Sequence, residues 1–472
     1  MISFPHLMTV PAAAQPDKVL EILQTIADSI YTYVLIAVLI GFGIYFTVRT
    51  KGVQFRLFKD SCRLIFKSND GETADKHISP FQAFAVSLAS CVGTGNLAGV
   101  ATAIVAGGPG AVFWMWVTAL LGSCTGFVEA TLAQLYKRKD KDSFIGGPAY
   151  YIESGLGLRW MAVLSAVLII LTFAFGYTLV QCNTIGTAFK TQFGINPVIV
   201  GLILAAILAL IIFGGIQRIA KVTAVVVPVM ALGYMLIAIV IIAMNITSIP
   251  HVFKLIIDSA FGIRQAAGGL MGAAVMYGVR RGLFSNEAGL GSSPNAAATS
   301  HVSHPAKQGL VQSLGIMIDT IVICSCTAFV LLLSGVDLSG NSGNGIELTH
   351  AALTGQVGSI GGLFLTVAVL FFAFSTVIST YFYGESNLKF FTKNKWALTA
   401  LRLAVVAMAF IGTCVSLDKA WALTDIFMAL SGLCNLIALI VLFPKVKTAL
   451  DDYTRQRKAG IKDPVYPKWW ED

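Results

Sequence analysis

Charge is what this sequence has least of. Asp, Glu, Lys and Arg make up 12% of its 472 residues, about half the share found in a soluble domain. It has no Gly-x-x-x-x-Gly-Lys-Ser/Thr loop, which excludes an ATP-driven pump. No basic stretch precedes the first apolar run, so a cleaved signal peptide is not expected. The eight cysteines show no metal-ligand spacing. Seven of them (Cys91, Cys124, Cys182, Cys324, Cys326, Cys414 and Cys434) fall inside apolar runs and read as small packing residues. No filter sequence or repeated pore-lining helix points to an ion channel. No pair of catalytic groups shares one membrane depth, which argues against an intramembrane enzyme. His301 and His304 stand alone in a loop, too few for a metal site.

What is present in excess is apolar length. Hydrophobic residues are 56% of the chain, gathered into blocks of about 20 residues or more, enough to cross roughly 30 Å of hydrocarbon. Eleven blocks are expected to be helices, at 31–48, 81–106, 110–136, 160–188, 197–214, 219–244, 262–282, 309–334, 361–388, 397–416 and 420–443. Helices satisfy their own backbone groups in lipid. Residues 1–30 would precede them outside, with 17–30 as an amphipathic helix on the outer surface. Alternating from there puts 28 of the 33 Lys and Arg on the inner side, Arg280 and Arg281 among them. That asymmetry sets the N-terminus outside and the tail 444–472 in the cytoplasm. The net charge of +9 is thus a topology signal, not a sign of nucleic-acid binding.

Two spans carry internal glycines: 81–106 has Gly93-Thr94-Gly95-Asn96, and 262–282 has Gly268-Gly269 and Gly272. Glycine permits a helix to unwind. Setting the first span aside, the rest divides into five plus five, 81–244 and 262–443, each half opening with a glycine-interrupted helix. Such a pair in two inverted halves points to a transporter's midplane binding site. The plainer alternative is that these glycines only let helices pack closely. A break frees carbonyls suited to a small cation and N–H groups suited to a carboxylate.

Longer motifs carry a resemblance. Residues 107–122 (GGPGAVFWMWVTALLG), 282–294 (GLFSNEAGLGSSP), 173–183 (FAFGYTLVQCN) and 374–385 (FSTVISTYFYGE) resemble the alanine or glycine:cation symporter family. The resemblance implies an all-α leucine-transporter-type inverted-repeat core of ten helices plus one extra N-terminal helix, in a bacterial inner membrane. It implies a secondary symporter and no enzyme, with a monomeric functional unit and no cofactor beyond Na⁺ (or H⁺) as the coupling ion. Its expected substrates are small neutral amino acids, alanine and glycine first.

Carried over by position, the resemblance puts Thr94, Gly95 and Asn96 at the substrate carboxylate and Gly268 and Gly269 at the ammonium. Phe175, Gly176 and Gln181 would line the pocket; Gln181 alternatively bonds between helices. Carbonyls of Ala89 and Val92 would meet Ala373, Ser375 and Thr376 around Na⁺, unless the hydroxyls merely bond back to their own helix. Asp319, near mid-span, would complete a second cation site with Asn96, carry a proton, or pair with Arg280 or Arg281. Glu129 reads as a structural hydrogen-bonding post. Glu287 reads as a gate or helix cap at the cytoplasmic end. Ser379 and Thr380 depart from the glycine and tryptophan expected in the family. Thr380 would enlarge the pocket enough to admit serine or glutamine. The outer loop 335–360 is polar, glycine-rich and a candidate lid.

Overall fold

The computed structural model describes residues 18–66, 78–140, 143–262, 268–337 and 345–467. Residues 1–17, part of the 335–360 loop and the last five residues of the tail lie outside them. The first element is α1 (Lys18–Arg49). It runs unbroken through the stretch expected to lie on the surface, so the amphipathic segment and the first span are one 32-residue helix. A left-handed turn at Lys51 and Gly52 (φ 57° and 62°) leads to Val53–Arg56 and α2 (Phe58–Phe66).

The first half of the core follows, with α3 (Pro80–Cys91), α4 (Gly95–Gly107), α5 (Ala111–Leu135), α6 (Arg159–Phe193), α7 (Pro197–Ile212) and α8 (Arg218–Met244). A small hairpin of β1 (Arg138–Asp140) and β2 (Ser143–Ile145) joins α5 to α6. After α9 (Ile249–Ala260) comes the second half: α10 (Gly268–Asn286), α11 (Pro305–Leu333), α12 (Gly345–Val357), α13 (Ser359–Phe391), α14 (Lys395–Cys414) and α15 (Leu417–Lys458). Among the described residues eight helices are long and apolar enough to span a membrane, and α3 with α4 makes a ninth span bent by 46°. The 16-residue α7 and the 19-residue α10 occupy the places of the two other expected spans. The chain is therefore a multi-pass membrane protein. Its last helix passes Pro444 and continues to Lys458, so much of the expected tail is helical.

The helix starts follow from local chemistry. Ser79 accepts from the Gln82 N–H while the Gln82 side chain accepts from the Ser79 N–H, and Pro80 fills the first helical position. The first break falls where glycines expected it. Val92 leaves helical geometry (φ −80°, ψ 86°), and the helix resumes at Gly95. Glycine at 93 is required by close approach, since a Cβ there would stand 2.4 Å from Thr376 Oγ1.

The second break does not fall at Gly268-Gly269. The α10 helix begins at those residues and runs through Gly272 to Asn286. Interruption comes instead at Glu287, Gly289 and Gly291, with φ of 56°, 85° and 82°, before a short helix at Ser293–Ala297. Gly278 of α10 serves the plainer purpose: a Cβ there would lie 2.5 Å from the Ala111 carbonyl of α5. A glycine inside an apolar run is read equally well as a break or as a packing contact. Left-handed residues were the deciding feature.

Candidate substrate and ion site

The two breaks face each other. A Cβ on Gly95 would lie 3.0 Å from Ser285 Cα, so the first break meets the last turn of α10. Gly268 is about 25 Å up that helix by its rise per residue, and neither it nor Gly269 reaches the first break. Ser285 is the α10 residue that stands at the first break. The sequence signal for it was the Ser-Asn-Glu run, polar and followed by two spaced glycines at membrane depth.

Around the first break the side chains satisfy the freed backbone, as lipid depth demands. Gln181 Oε1 accepts from the Thr94 N–H at 2.9 Å and from Thr94 Oγ1 at 2.7 Å. Asn96 Oδ1 accepts from the Gly93 N–H at 2.8 Å, and the Asn96 N–H bonds the Gly93 carbonyl at 3.3 Å. Thr94, Gly95, Asn96 and Gln181 are thus gathered in one place. Gly176 is not at the break: it packs on α15, where a Cβ would be 2.9 Å from Thr424 Oγ1. Phe175 packs, partly buried, against the hydrophobic cluster that includes Phe173 and Tyr177. Thr380 turns its hydroxyl back to the Thr376 carbonyl at 2.9 Å.

The ion residues divide similarly. Thr376 Oγ1 donates to the Ala89 carbonyl at 2.8 Å, and lies 3.4 Å from that of Val92 and 3.1 Å from the Phe372 carbonyl of its own helix. Thr376, Ala89 and Val92 converge across α3 and α13. Ser375 does not join them through its hydroxyl, which bonds back to the Phe372 carbonyl at 2.9 Å. Ala373 is buried in the same cluster as Ala89 and Val92.

Asp319 sits across from Asn96. Its Oδ1 accepts from Asn96 Nδ2 at 2.6 Å, and its Oδ2 accepts from Ser285 Oγ at 2.7 Å and Thr320 Oγ1 at 2.8 Å. It does not pair with Arg280 or Arg281. Those arginines are buried inside α10 and belong to no inner loop. Arg281 bonds Asp425 of α15 at 2.8 Å, while Arg280 bonds Asp28 of α1 at 2.5 Å and lies 3.9 Å from Asp425. Arg281 also covers the Trp421 ring at 4.0 Å. Phe284 lies against both Trp421 and Tyr177, each at 4.4 Å between ring centres. This aromatic and charged layer was not anticipated. A pair of arginines in an apolar helix called for acidic partners, but nothing local named Asp28 or Asp425.

Glu129 is the expected post. It accepts from the N–H groups of Gly289 and Gly291 at 3.0 and 2.9 Å and from Asn435 at 2.6 Å, holding the unwound second break. Glu287 is not exposed at the end of a span. It is buried in the break itself, accepting from Ser90 at 2.6 Å and Ser292 at 2.5 Å, and so ties α3 to the second break.

Below the breaks the chain is stitched shut. Ile78, just before α3, bridges Ser300, and Lys137 donates to the Ser300 carbonyl at 2.9 Å. His304 is fully buried, its ring edge-on to Tyr453 and Tyr466 at 5.2 and 5.1 Å. Burial pushes its pKa down to about 4; Asp452, 3.4 Å away, opposes that shift and Lys307 adds to it. Residues 461–467 form the outer wall of this cluster: the Tyr466 N–H donates to the Ser303 carbonyl at 2.8 Å.

Helix breaks that face each other within a bundle of membrane-spanning helices mark the chain as a transporter of the leucine-transporter fold. The sodium:alanine symporter family model matches residues 17–468, and the chain belongs to that family. The probable sodium/glutamine symporter GlnT of Bacillus subtilis is 50% identical over 96% of this chain and 94% of its own length. The sodium/alanine symporter AgcS of Methanococcus maripaludis is 39% identical over 94% of this chain and 99% of its own. Among solved structures, MhsT in complex with L-phenylalanine shares the fold, with a TM-score of 0.58 at 14% identity over 84% of this chain and 95% of that one.

Proposed function

We propose that this protein couples the inward movement of Na⁺ to the uptake of small neutral amino acids, alanine and glycine first, across a bacterial inner membrane. The observation that carries the reading is the cradle at Thr94. Its N–H and its hydroxyl converge on a single oxygen, that of Gln181, the geometry with which two donors hold one carboxylate oxygen. A substrate carboxylate takes the place of the Gln181 amide oxygen, which swings aside. The carbonyls of Ala89 and Val92 with Thr376 Oγ1 supply oxygens for Na⁺. The Thr376 hydroxyl then turns its lone pairs to the ion instead of donating to Ala89.

Asp319 supports a second cation. It is a fully buried carboxyl group whose described partners are three neutral donors, so no counter-ion stands among them. A cation between Asp319, Asn96 and Ser285 would neutralise it, next to the bound carboxylate. The working unit is a single chain, with its N-terminus outside and its C-terminus in the cytoplasm.

The residues gathered at Thr94 include no Lys or Arg, and the proposed second cation occupies their one acid, Asp319. A charged substrate side chain would enter unpaired, at a cost of several kcal/mol. Competition against labelled alanine in proteoliposomes tests this. Glycine, and also serine or glutamine, should displace alanine, while lysine and aspartate should do so at least about tenfold more weakly, the factor for 1.4 kcal/mol. Displacement by lysine equal to that by glycine would overturn the reading.

A further inference from the structure

Between α1 and α3 the chain does not cross directly from one span to the next. Successive left-handed residues at Lys51 and Gly52 turn it into Val53–Arg56 and α2. One side of this segment is fixed to the protein. Val53, Gln54 and Ser61 are buried, and Gln54 Nε2 donates to Thr47 Oγ1 at 3.1 Å and to the Leu120 carbonyl at 3.3 Å. Asp60 is held by Arg457 through bonds of 2.6 and 3.0 Å.

The other side is bare. Phe55 and Phe58 are 55% and 44% exposed. Arg56, Lys59 and Arg63 are also exposed; Lys59 and Arg63, four residues apart, share a face of α2, and Arg56 ends the turn before it. Arg56 reaches the Thr50 carbonyl at 3.4 Å. Among the described residues no ion pair involves any of the three, the segment's own acid being taken by Arg457. Outward rings beside unpaired cations, at the end of a span, are the pattern of a helix lying in a bilayer interface. The rings enter the acyl boundary and the cations lie among phosphates.

We propose that Val53–Phe66 is a docking site for an anionic phospholipid of the cytoplasmic leaflet, with its phosphate among Arg56, Lys59 and Arg63 and its acyl chains against Phe55 and Phe58. The proposal rests on the membrane reading and on the orientation given above. It does not depend on what the protein carries. Because α2 packs on α11 and its Asp60 grips Arg457 beyond the membrane end of α15, the lipid sits against the same cytoplasmic cluster that closes the site from below.

The test uses the full chain purified from bilayers of phosphatidylcholine with a minor share of phosphatidylglycerol, with retained lipid measured by mass spectrometry. The wild type should retain phosphatidylglycerol above its share in the bilayer. R56Q/K59Q/R63Q should lose that enrichment by about fivefold per charge removed, while R56K/R63K should keep it. Equal enrichment in the wild type and the triple-Gln variant would overturn the proposal, as would no enrichment in the wild type. Displacement of the lipid by millimolar inorganic phosphate would show a free-anion site and would overturn it as well. Retention needs neither Na⁺ nor an amino acid, so failure of the transport reading leaves this result standing, and the converse holds.

Discussion

At the scale of single residues, the account turns on atoms that freed backbone groups must find. Thr376→Val removes the hydroxyl that lies between the Ala89 and Val92 carbonyls while keeping the side chain's shape. Losing a buried partner of a charge costs about 1.5–3 kcal/mol, so the half-saturation for Na⁺ should rise about tenfold to hundredfold. Titrating Na⁺ in uptake by the variant measures this, and an unchanged half-saturation would move the ion elsewhere. The residues legible in advance were those whose chemistry is costly in lipid. Gly93 to Asn96 stood out because polar and glycine residues interrupt an apolar run, and Glu129 because a lone carboxylate needs donors. Gly176, Ser375 and Thr380 are assigned by position alone; Gly176 stands at a packing contact, and the two hydroxyls bond back to their own helix. Backbone bonding by hydroxyls and contact by glycines leave no mark in the sequence that separates them from a binding role.

At the scale of elements, hydropathy located the helices well, because crossing the membrane requires length and apolarity. Continuity was harder to see. The α1 helix runs through an expected boundary, and α15 passes Pro444. Proline lacks only one donor, and a helix held on other faces absorbs that loss. The second break was misplaced because Gly268-Gly269 offered the stronger composition signal, whereas left-handed Glu287 is a non-glycine residue that no pattern predicts. The cluster around His304 reads from sequence as ordinary loop. Its burial of His304 has a consequence in pH. The folded pKa of about 4 lies below the usual value of 6.5, so the unfolded chain binds the proton more readily. Stability from this group is then complete above pH 6.5 and falls as the pH drops toward 4, by about 2 kcal/mol at pH 5. Thermal unfolding in detergent at pH 7 and pH 5 measures it. His304→Gln should flatten that part of the profile, and an identical profile in the variant would remove His304 as its cause.

At the scale of the whole molecule, the proposed orientation rests on the basic residues outside the spans. Arg280 and Arg281 leave that count, since α10 buries them against Asp28 and Asp425, but the remaining asymmetry still favours a cytoplasmic C-terminus. Ala459 is exposed, just beyond α15. In a chain otherwise free of cysteine, Ala459→Cys should resist a membrane-impermeant maleimide in intact cells and react once they are permeabilised. Ready labelling in intact cells would invert the topology.

The central claim is that these two breaks bind Na⁺ and a neutral amino acid together and move them as one. Its most direct test is accumulation of labelled alanine in proteoliposomes of the purified chain under an inward Na⁺ gradient, compared with the same gradient of K⁺. The account predicts uptake above equilibrium with Na⁺, its collapse when the gradient is dissipated, and no accumulation with K⁺. Equal accumulation under both gradients would contradict it.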